Sequence, residues 1–415
     1  MFSKITAVFN RSFIPICVVL SVIELTFGAF YLIASTSFNS NKTVNTVSTN
    51  QADRKMEVQP ETKLETHTEI PIPPNTLNLR TLFFGDVFWG RYIHDWSQVS
   101  PLKTAYPFSG LSEFQKEKYD AWIADMECPV TNENIDSPTQ EATLSFNCNS
   151  SYMSDAAKWF DIFTLANNHT DNMEKYNDKV FNGFAKTKQN MDLHNIQYFG
   201  HYDNAQKKDI CEVVTITDKK QKIDVPIAMC GFHNVFKLPL DDEIAIISDY
   251  AKYLPTFVFP HQGAEYRTIA DGLQRDFARQ YIDAGADAVI GDHVHVVQDT
   301  DVYNGKLIVY SLGNFIFDQQ SGATTRGIAL DMSMEIKNDE NMQRLSKIAK
   351  ECRSFQDTCL QQIQSQKLKK PEFNVKYDII PTDNTGKLAK KATPQVAEEI
   401  KRIATWTNTQ NLLTK

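Results

Sequence analysis

Apolar residues in this chain recur as short runs that end in turns carrying a chemically active side chain. Runs at residues 77–84, 161–166, 196–199, 210–216, 225–231, 253–259, 288–290 and 307–310 read as strands, with two more at 327–336 and 373–380. Helical patterning falls between or after them at 111–124, 178–194, 274–284, 338–369 and 394–406, the last opening on Pro394. Strands alternating with helices predict an α/β fold whose chemistry sits at the strand C-termini. The residues at those ends are suited to it: Asp86, Asn168/His169, His261 and His293/His295.

The first 76 residues follow another pattern. Residues 13–34 form a 22-residue apolar run broken by one acid, Glu24, and preceded by Lys4 and Arg11. That length spans a bilayer, and the basic flank predicts that residues 1–12 stay cytoplasmic. A cleaved signal peptide would have a shorter apolar core, and residues 34–36 make a poor small-x-small cleavage site. The expectation is an uncleaved single-pass anchor, with Glu24 either protonated or in contact with another membrane subunit. Residues 35–76 are polar and close on a Pro-x-Pro-Pro stretch, the composition of a solvated linker. A globular region at 77–335 and an extension at 336–415 follow, both expected outside the cytoplasm.

Composition adds two constraints. A net charge of −8, with no Lys/Arg-dense block, argues against nucleic acid as a partner. The seven cysteines include no CxxC pair, which disfavours a zinc ribbon or a thioredoxin-type site. With Cys17 in the span, six remain on the oxidising side, and sequence does not choose among their fifteen pairings. Cys352 and Cys359 lie about 10 Å apart on a straight helix, so they can bond only if the helix breaks; Asp357-Thr358 offers a place.

The strand-end residues assemble a donor set. Asp86, Glu127, Asn168, His169, His261, His293 and His295 supply the carboxylate, amide and imidazole groups that zinc, manganese or iron accept. Mixed oxygen and nitrogen donors are typical of hydrolytic centres. Two histidines at i and i+2 can face one ion only if the backbone turns between them, and Gly291 is the expected source of that freedom.

Five blocks in order, FGDVFWGR, ADMECPV, TLANNHTDN, FPHQGAEYR and VIGDHVHVVQDTDVYNGKLIVYSLGNFIFDQ, resemble the CapA-type poly-γ-glutamate capsule synthesis proteins over residues 77–335. The resemblance implies a metallophosphatase-like α/β sandwich, two sheets flanked by helices, beneath the N-terminal transmembrane helix. It implies metal ligands at Asp86, Glu127, Asn168, His261, His293 and His295, with His169 as acid or phosphate binder. Glu265 matches the H-x-G-x-E block, and Arg91 the motif arginine, able to fork a carboxylate or phosphate. Arg267 and Arg326 would join Arg91 along a groove for an anionic polymer. The family reading also implies a divalent metal (Mn, Zn or Fe) and, as partners, the polymer, the membrane and other capsule synthetase subunits. Its two functional forms are a metal-dependent hydrolase or transferase and a non-enzymatic accessory subunit. Where metallophosphatases carry Asp-x-His this chain has Phe88, with His94 the nearest substitute. Asp292 and Val294 also depart from the usual residues before and between the paired histidines.

Overall fold

The computed structural model describes residues 75–176, 179–352 and 356–414. The expected span at 13–34 lies outside them. Among the described residues, no helix is long and apolar enough to cross a membrane.

Two sheets make the frame. In chain order the strands are β1 (Thr76–Val87), β2 (Ala121–Met126), β3 (Ile162–Thr164), β4 (Gln197–Phe199), β5 (Cys211–Asp218), β6 (Ile223–His233), β7 (Thr256–His261), β8 (Ala288–Ile290), β9 (Thr300–Tyr303), β10 (Lys306–Val309), β11 (Asn314–Ile316), β12 (Arg326–Lys337), β13 (Phe373–Asp383) and β14 (Lys390–Lys391). The first sheet runs β14-β13-β12-β1-β2-β3-β4, with β11 also beside β1; the second runs β9-β10-β8-β7-β6-β5. Strands β1 to β4 pair in parallel, as do β6, β7, β8 and β10. Beyond β1, the β12 and β13 strands continue the first sheet antiparallel, so residues past 335 complete it.

The sheets stack on an apolar layer. Leu79, Phe83, Ile123 and Ile162 of the first sheet meet Val214, Ile227, Met229 and Phe257 of the second in one buried cluster. Strand alternation sends the neighbouring side chains the other way. Leu82 and Phe84 enter a second core with Trp122 and Phe315, where Phe84 and Phe315 stack at 4.0 Å between centroids. On the outer face of the second sheet, helix Gly272–Asp283 buries Phe277, Ala278 and Tyr281 against Phe232 and Val258. The fold is therefore mixed α/β, with several sheets flanked by helices.

Two helical expectations need correction. Residues 111–124 are not one helix: two short 3₁₀ segments, Leu111–Phe114 and Lys116–Lys118, lead into β2. All six residues of β2 are buried. A continuous apolar run buried on both faces carries no period that separates strand from helix. The 338–369 helix is two, Glu340–Cys352 and Gln356–Ser365. Cys352 closes the first and Cys359 lies in the second; their Cα atoms are 5.2 Å apart and they form a disulfide. Cys128–Cys148 and Cys211–Cys230 are the other two.

Close packing at two glycines sets the site's backbone. A Cβ at Gly85 would lie 2.0 Å from the Gly313 carbonyl oxygen, so only glycine lets the 311–314 turn sit against β1. That contact puts Asn314 in register with Asp86. At Gly291 a Cβ would lie 2.3 Å from the Tyr310 oxygen.

Candidate metal centre

The C-terminal ends of both sheets converge on one buried cluster. From the first sheet come Asp86 at the end of β1, Asp125 in β2 with Glu127 just beyond it, and Asn167-Asn168-His169 after β3. From the second come His261 closing β7 and Asp292, His293 and His295 after β8. Asp86, Asp125, Glu127, His261, Asp292, His293 and His295 are all buried.

Within the cluster, His261 Nδ1 lies 2.9 Å from Asp292 Oδ1 and its Nε2 lies 2.7 Å from Asn168 Oδ1. His293 Nδ1 lies 3.1 Å from the same Nε2. His295 Nδ1 faces Asp86 Oδ2 at 3.2 Å and Asn314 Oδ1 at 2.9 Å. Three overlapping groups have ligand atoms close enough to share an ion: Glu127, His261 and His293; Asp86, Asp125, His261 and Asp292; Asp86, Glu127 and His295.

The test of fit is Glu127. Both of its carboxylate oxygens are buried with no hydrogen-bond partner among the described residues. Its nearest basic atoms are His295 Nε2 at 3.7 Å and His261 Nε2 at 3.9 Å, beyond hydrogen-bond range. Asp125 Oδ2 is likewise unpartnered; it lies 3.4 Å from His261 Nδ1, which is already spent on Asp292. A buried carboxylate with nothing to satisfy it is costly unless an ion completes it. These donors fit a divalent cation.

Electrostatics at the centre point the same way. Burial, then the Asp86 charge, hold the Glu127 carboxyl well above its ordinary range. Burial would lower His261, but the Asp292 and Asp125 carboxylates beside it hold it well above. Burial and the neighbouring His261 and His295 push His293 well below. His295, opposed by burial, is held at about 9 by Glu127 and Asp86, while burial and Asp125 push Asp292 to about 8.

The turn that aims the histidines is not made as expected. Gly291 keeps a negative φ, and the left-handed positions are the histidines themselves, with φ 91° at His293 and 61° at His295. Non-glycine residues held there carry strain of order 1–3 kcal/mol each, which the surrounding packing must hold. Gly291 serves close approach instead.

His169 lies at the edge of the centre, its ring stacked on Phe146 at 3.9 Å. Burial depresses its pKa to about 3, so the ring is neutral. Its Nδ1 lies 2.8 Å from Asn172 Oδ1, an oxygen that also accepts from the Phe146 N–H. Nδ1 therefore carries the proton, and Nε2 keeps a lone pair. Together with Asn168 and His295, His169 lines a cleft of about 720 Å³.

The three arginines fall in different places. Arg91 lines the cleft but forks Asp318, with Nε at 2.9 Å and Nη2 at 2.6 Å. Its guanidinium lies over the Phe146, Phe88 and Phe317 rings. Arg326 pairs with Glu399 at 2.7 Å. Arg267 is exposed and is not among the described residues lining the cleft. His94 is occupied elsewhere, its Nδ1 3.0 Å from the Tyr152 hydroxyl. Phe88 is buried in an aromatic cluster with Phe146 and Phe317, both at 5.1 Å.

Sequence reading missed Asp125, Asp292 and Asn314, and the partners Asn167, Asn172 and Asp318. Asp125 had a usable signal: two residues before Glu127, strand alternation puts both on one side. Asn167 holds it in place by donating to Asp125 Oδ1 at 2.9 Å.

An α/β domain with strand ends gathered on buried carboxylates and imidazoles defines the class: a protein whose buried donors could hold a metal ion. The sequence profile described as "Bacterial capsule synthesis protein PGA_cap" matches residues 80–236 and 250–319, more than half of the chain, which therefore belongs to that family. The chain is 33% identical over 264 residues to the "PGA biosynthesis protein CapA" of Bacillus subtilis (strain 168), covering 58% of this chain and 64% of the relative. It is 29% identical over 265 residues to the "Capsule biosynthesis protein CapA" of Bacillus anthracis, covering 57% and 59%. The match thus spans less than two thirds of either relative. Among solved structures, a hypothetical protein from Thermus thermophilus aligns at a TM-score of 0.32 and 16% identity, covering 63% of this chain and 94% of its own.

Proposed function

We propose that this protein serves in making, exporting or retaining a poly-γ-glutamate-type capsule. In this reading it is anchored by residues 13–34, and its metallophosphatase-like domain acts outside the cytoplasm as a metal-dependent hydrolase or transferase. The observation that carries the metal reading is Glu127, a buried carboxylate with both oxygens unpartnered where the strand ends meet. Asp86, Asp125, Glu127, Asn168, His261, His293 and His295 would hold a divalent ion, manganese, zinc or iron. Such an ion would polarise a phosphoryl or carbonyl oxygen and lower the pKa of water.

The chain's own residues do the rest. Asn167 fixes the Asp125 carboxylate, and Asp292 sets which nitrogen of His261 faces the centre. Asn172 leaves the His169 Nε2 lone pair uncommitted beside the cleft. In hydrolysis the hydroxyl of water joins the substrate and its proton leaves with the departing group; His169 is placed to carry that proton between them.

A second reading has one specific support. Phe88 stands where a two-metal hydrolase has a histidine, which favours an accessory subunit of a membrane-bound synthetase with a structural or vestigial metal site. Metal content and cleavage of γ-linked polymer and phosphoesters by the full chain separate the two. Metal bound near stoichiometry, with cleavage lost at least a hundredfold in His293→Ala, is the outcome expected of the enzyme. A metal-free wild type that cleaves nothing while supporting capsule formation leaves the accessory reading standing.

A further inference from the structure

The cleft beside the centre is walled by carboxylates and aromatic rings. Glu141, Asp171 and Glu265 line it with Tyr92, Phe236 and Tyr266. Arg91, the one lysine or arginine among its described lining residues, is committed to Asp318. None of the three carboxylates has an ion-pair partner among the described residues; Glu141 accepts only the Tyr92 hydroxyl. Phe236 is 79% and Tyr266 54% exposed, so both present open ring faces. At the cleft floor His295 is only 5% exposed. Its Nδ1 is spent on Asp86 and Asn314, while its Nε2 makes no hydrogen bond among the described residues. That nitrogen faces Glu127 at 3.7 Å, so the cleft opens onto the buried cluster.

Unpaired carboxylates beside open aromatic faces attract an ammonium group through charge and ring quadrupole. The same walls repel a run of carboxylates. We propose that the cleft is a subsite for a protonated amine, so that a ligand enters the centre by an ammonium-bearing end rather than by an extended polyanionic stretch. The inference rests on the metal-centred reading above and names the ligand chemistry that reading leaves open. In a γ-linked glutamate chain the ammonium is at the amino terminus, so the polymer would be held by that end. An amine-bearing phosphoester supplies the same group.

The test uses the full chain in an uncharged detergent, loaded with Mn²⁺ and titrated calorimetrically with two probe pairs. The first is γ-linked tetraglutamate against its N-acetyl form. The second is 2-aminoethyl phosphate against n-propyl phosphate, in which a methyl replaces the ammonium. The amine of at least one pair should bind about tenfold more tightly, and the pair that shows the preference identifies the source. The preference should fall below about threefold in E141Q/E265Q and in Tyr266→Leu, and shrink with added salt. Equal or weaker binding of the amine in both pairs, or a preference unchanged in all of these variants, overturns the proposal. Metal content of the same preparation reports on the centre separately. A metal-loaded chain without amine preference loses this inference alone. A metal-free chain that still prefers the amine keeps it and loses the metal-centred reading.

Discussion

Replacing Glu127 by Met is expected to give a metal-free protein more stable than the wild type and unable to take up metal at the centre. Glu127 is fully buried, and both oxygens lack partners among the described residues. Its carboxyl must either hold a proton at neutral pH or remain charged without compensation. Met fills a similar volume without that demand, and removing a buried unsatisfied group relieves about 1–3 kcal/mol. The gain should grow with pH. A carboxyl raised in the folded state binds protons there that the unfolded chain has released, so wild-type stability falls as pH rises from about 4.3 towards the folded value. The variant lacks this loss. Thermal unfolding of both proteins in chelator at pH 5 and pH 8, with metal analysis after reloading, checks both halves. A variant that melts no higher than the wild type and still binds metal would remove Glu127 from the centre.

Arg91→Ala should be among the most damaging single changes in the domain, through stability before ligand binding. The Asp318 carboxylate is 3% exposed and held by the two-pronged Arg91 contact. The Tyr92 N–H also donates to it, at 3.4 Å. Removing the guanidinium strands that carboxylate and empties the space over the Phe88, Phe146 and Phe317 rings. Breaking a buried pair from one side costs about 3–5 kcal/mol. Burial already raises the Asp318 pKa against the opposing pull of Arg91. Without Arg91 it rises further, so the deficit should be greatest at neutral pH and shrink in acid as Asp318 takes up a proton. Denaturant titrations of Arg91→Ala, Asp318→Ala and the double variant measure this, and the double should recover much of the loss. A fully stable Arg91→Ala that has lost only ligand affinity would instead make Arg91 a substrate contact.

Much of the site was legible because its residues announce themselves locally. Asp86, Asn168, His261, His293 and His295 each follow an apolar run, and strand ends in α/β proteins are where such residues gather. In the fold Asp86, His261, His293 and His295 are buried together, with half-buried Asn168 2.7 Å from His261. Asp125 was hidden inside a continuous apolar strand, where a buried acid looks like an interruption of the pattern. Asn314 entered through the close passage of Gly85 and Gly313, a contact between residues far apart in sequence that no local pattern encodes. The 111–124 segment misled for a related reason: β2 is buried on both faces and loses the alternation that marks a strand.

The sequence by itself determined the alternation of strands and helices, the donor types and their order, and the capsule-protein family. These depend on periodicity and on residue identity at turns, both local properties. Tertiary structure alone decided which donors share an ion-sized space and that Glu127 is left unsatisfied. It also committed Arg91 to Asp318 and broke the 338–369 helix where Cys352 meets Cys359. Each of those is a distance between residues far apart on different elements, or across a helix break, and burial sets its energetic weight.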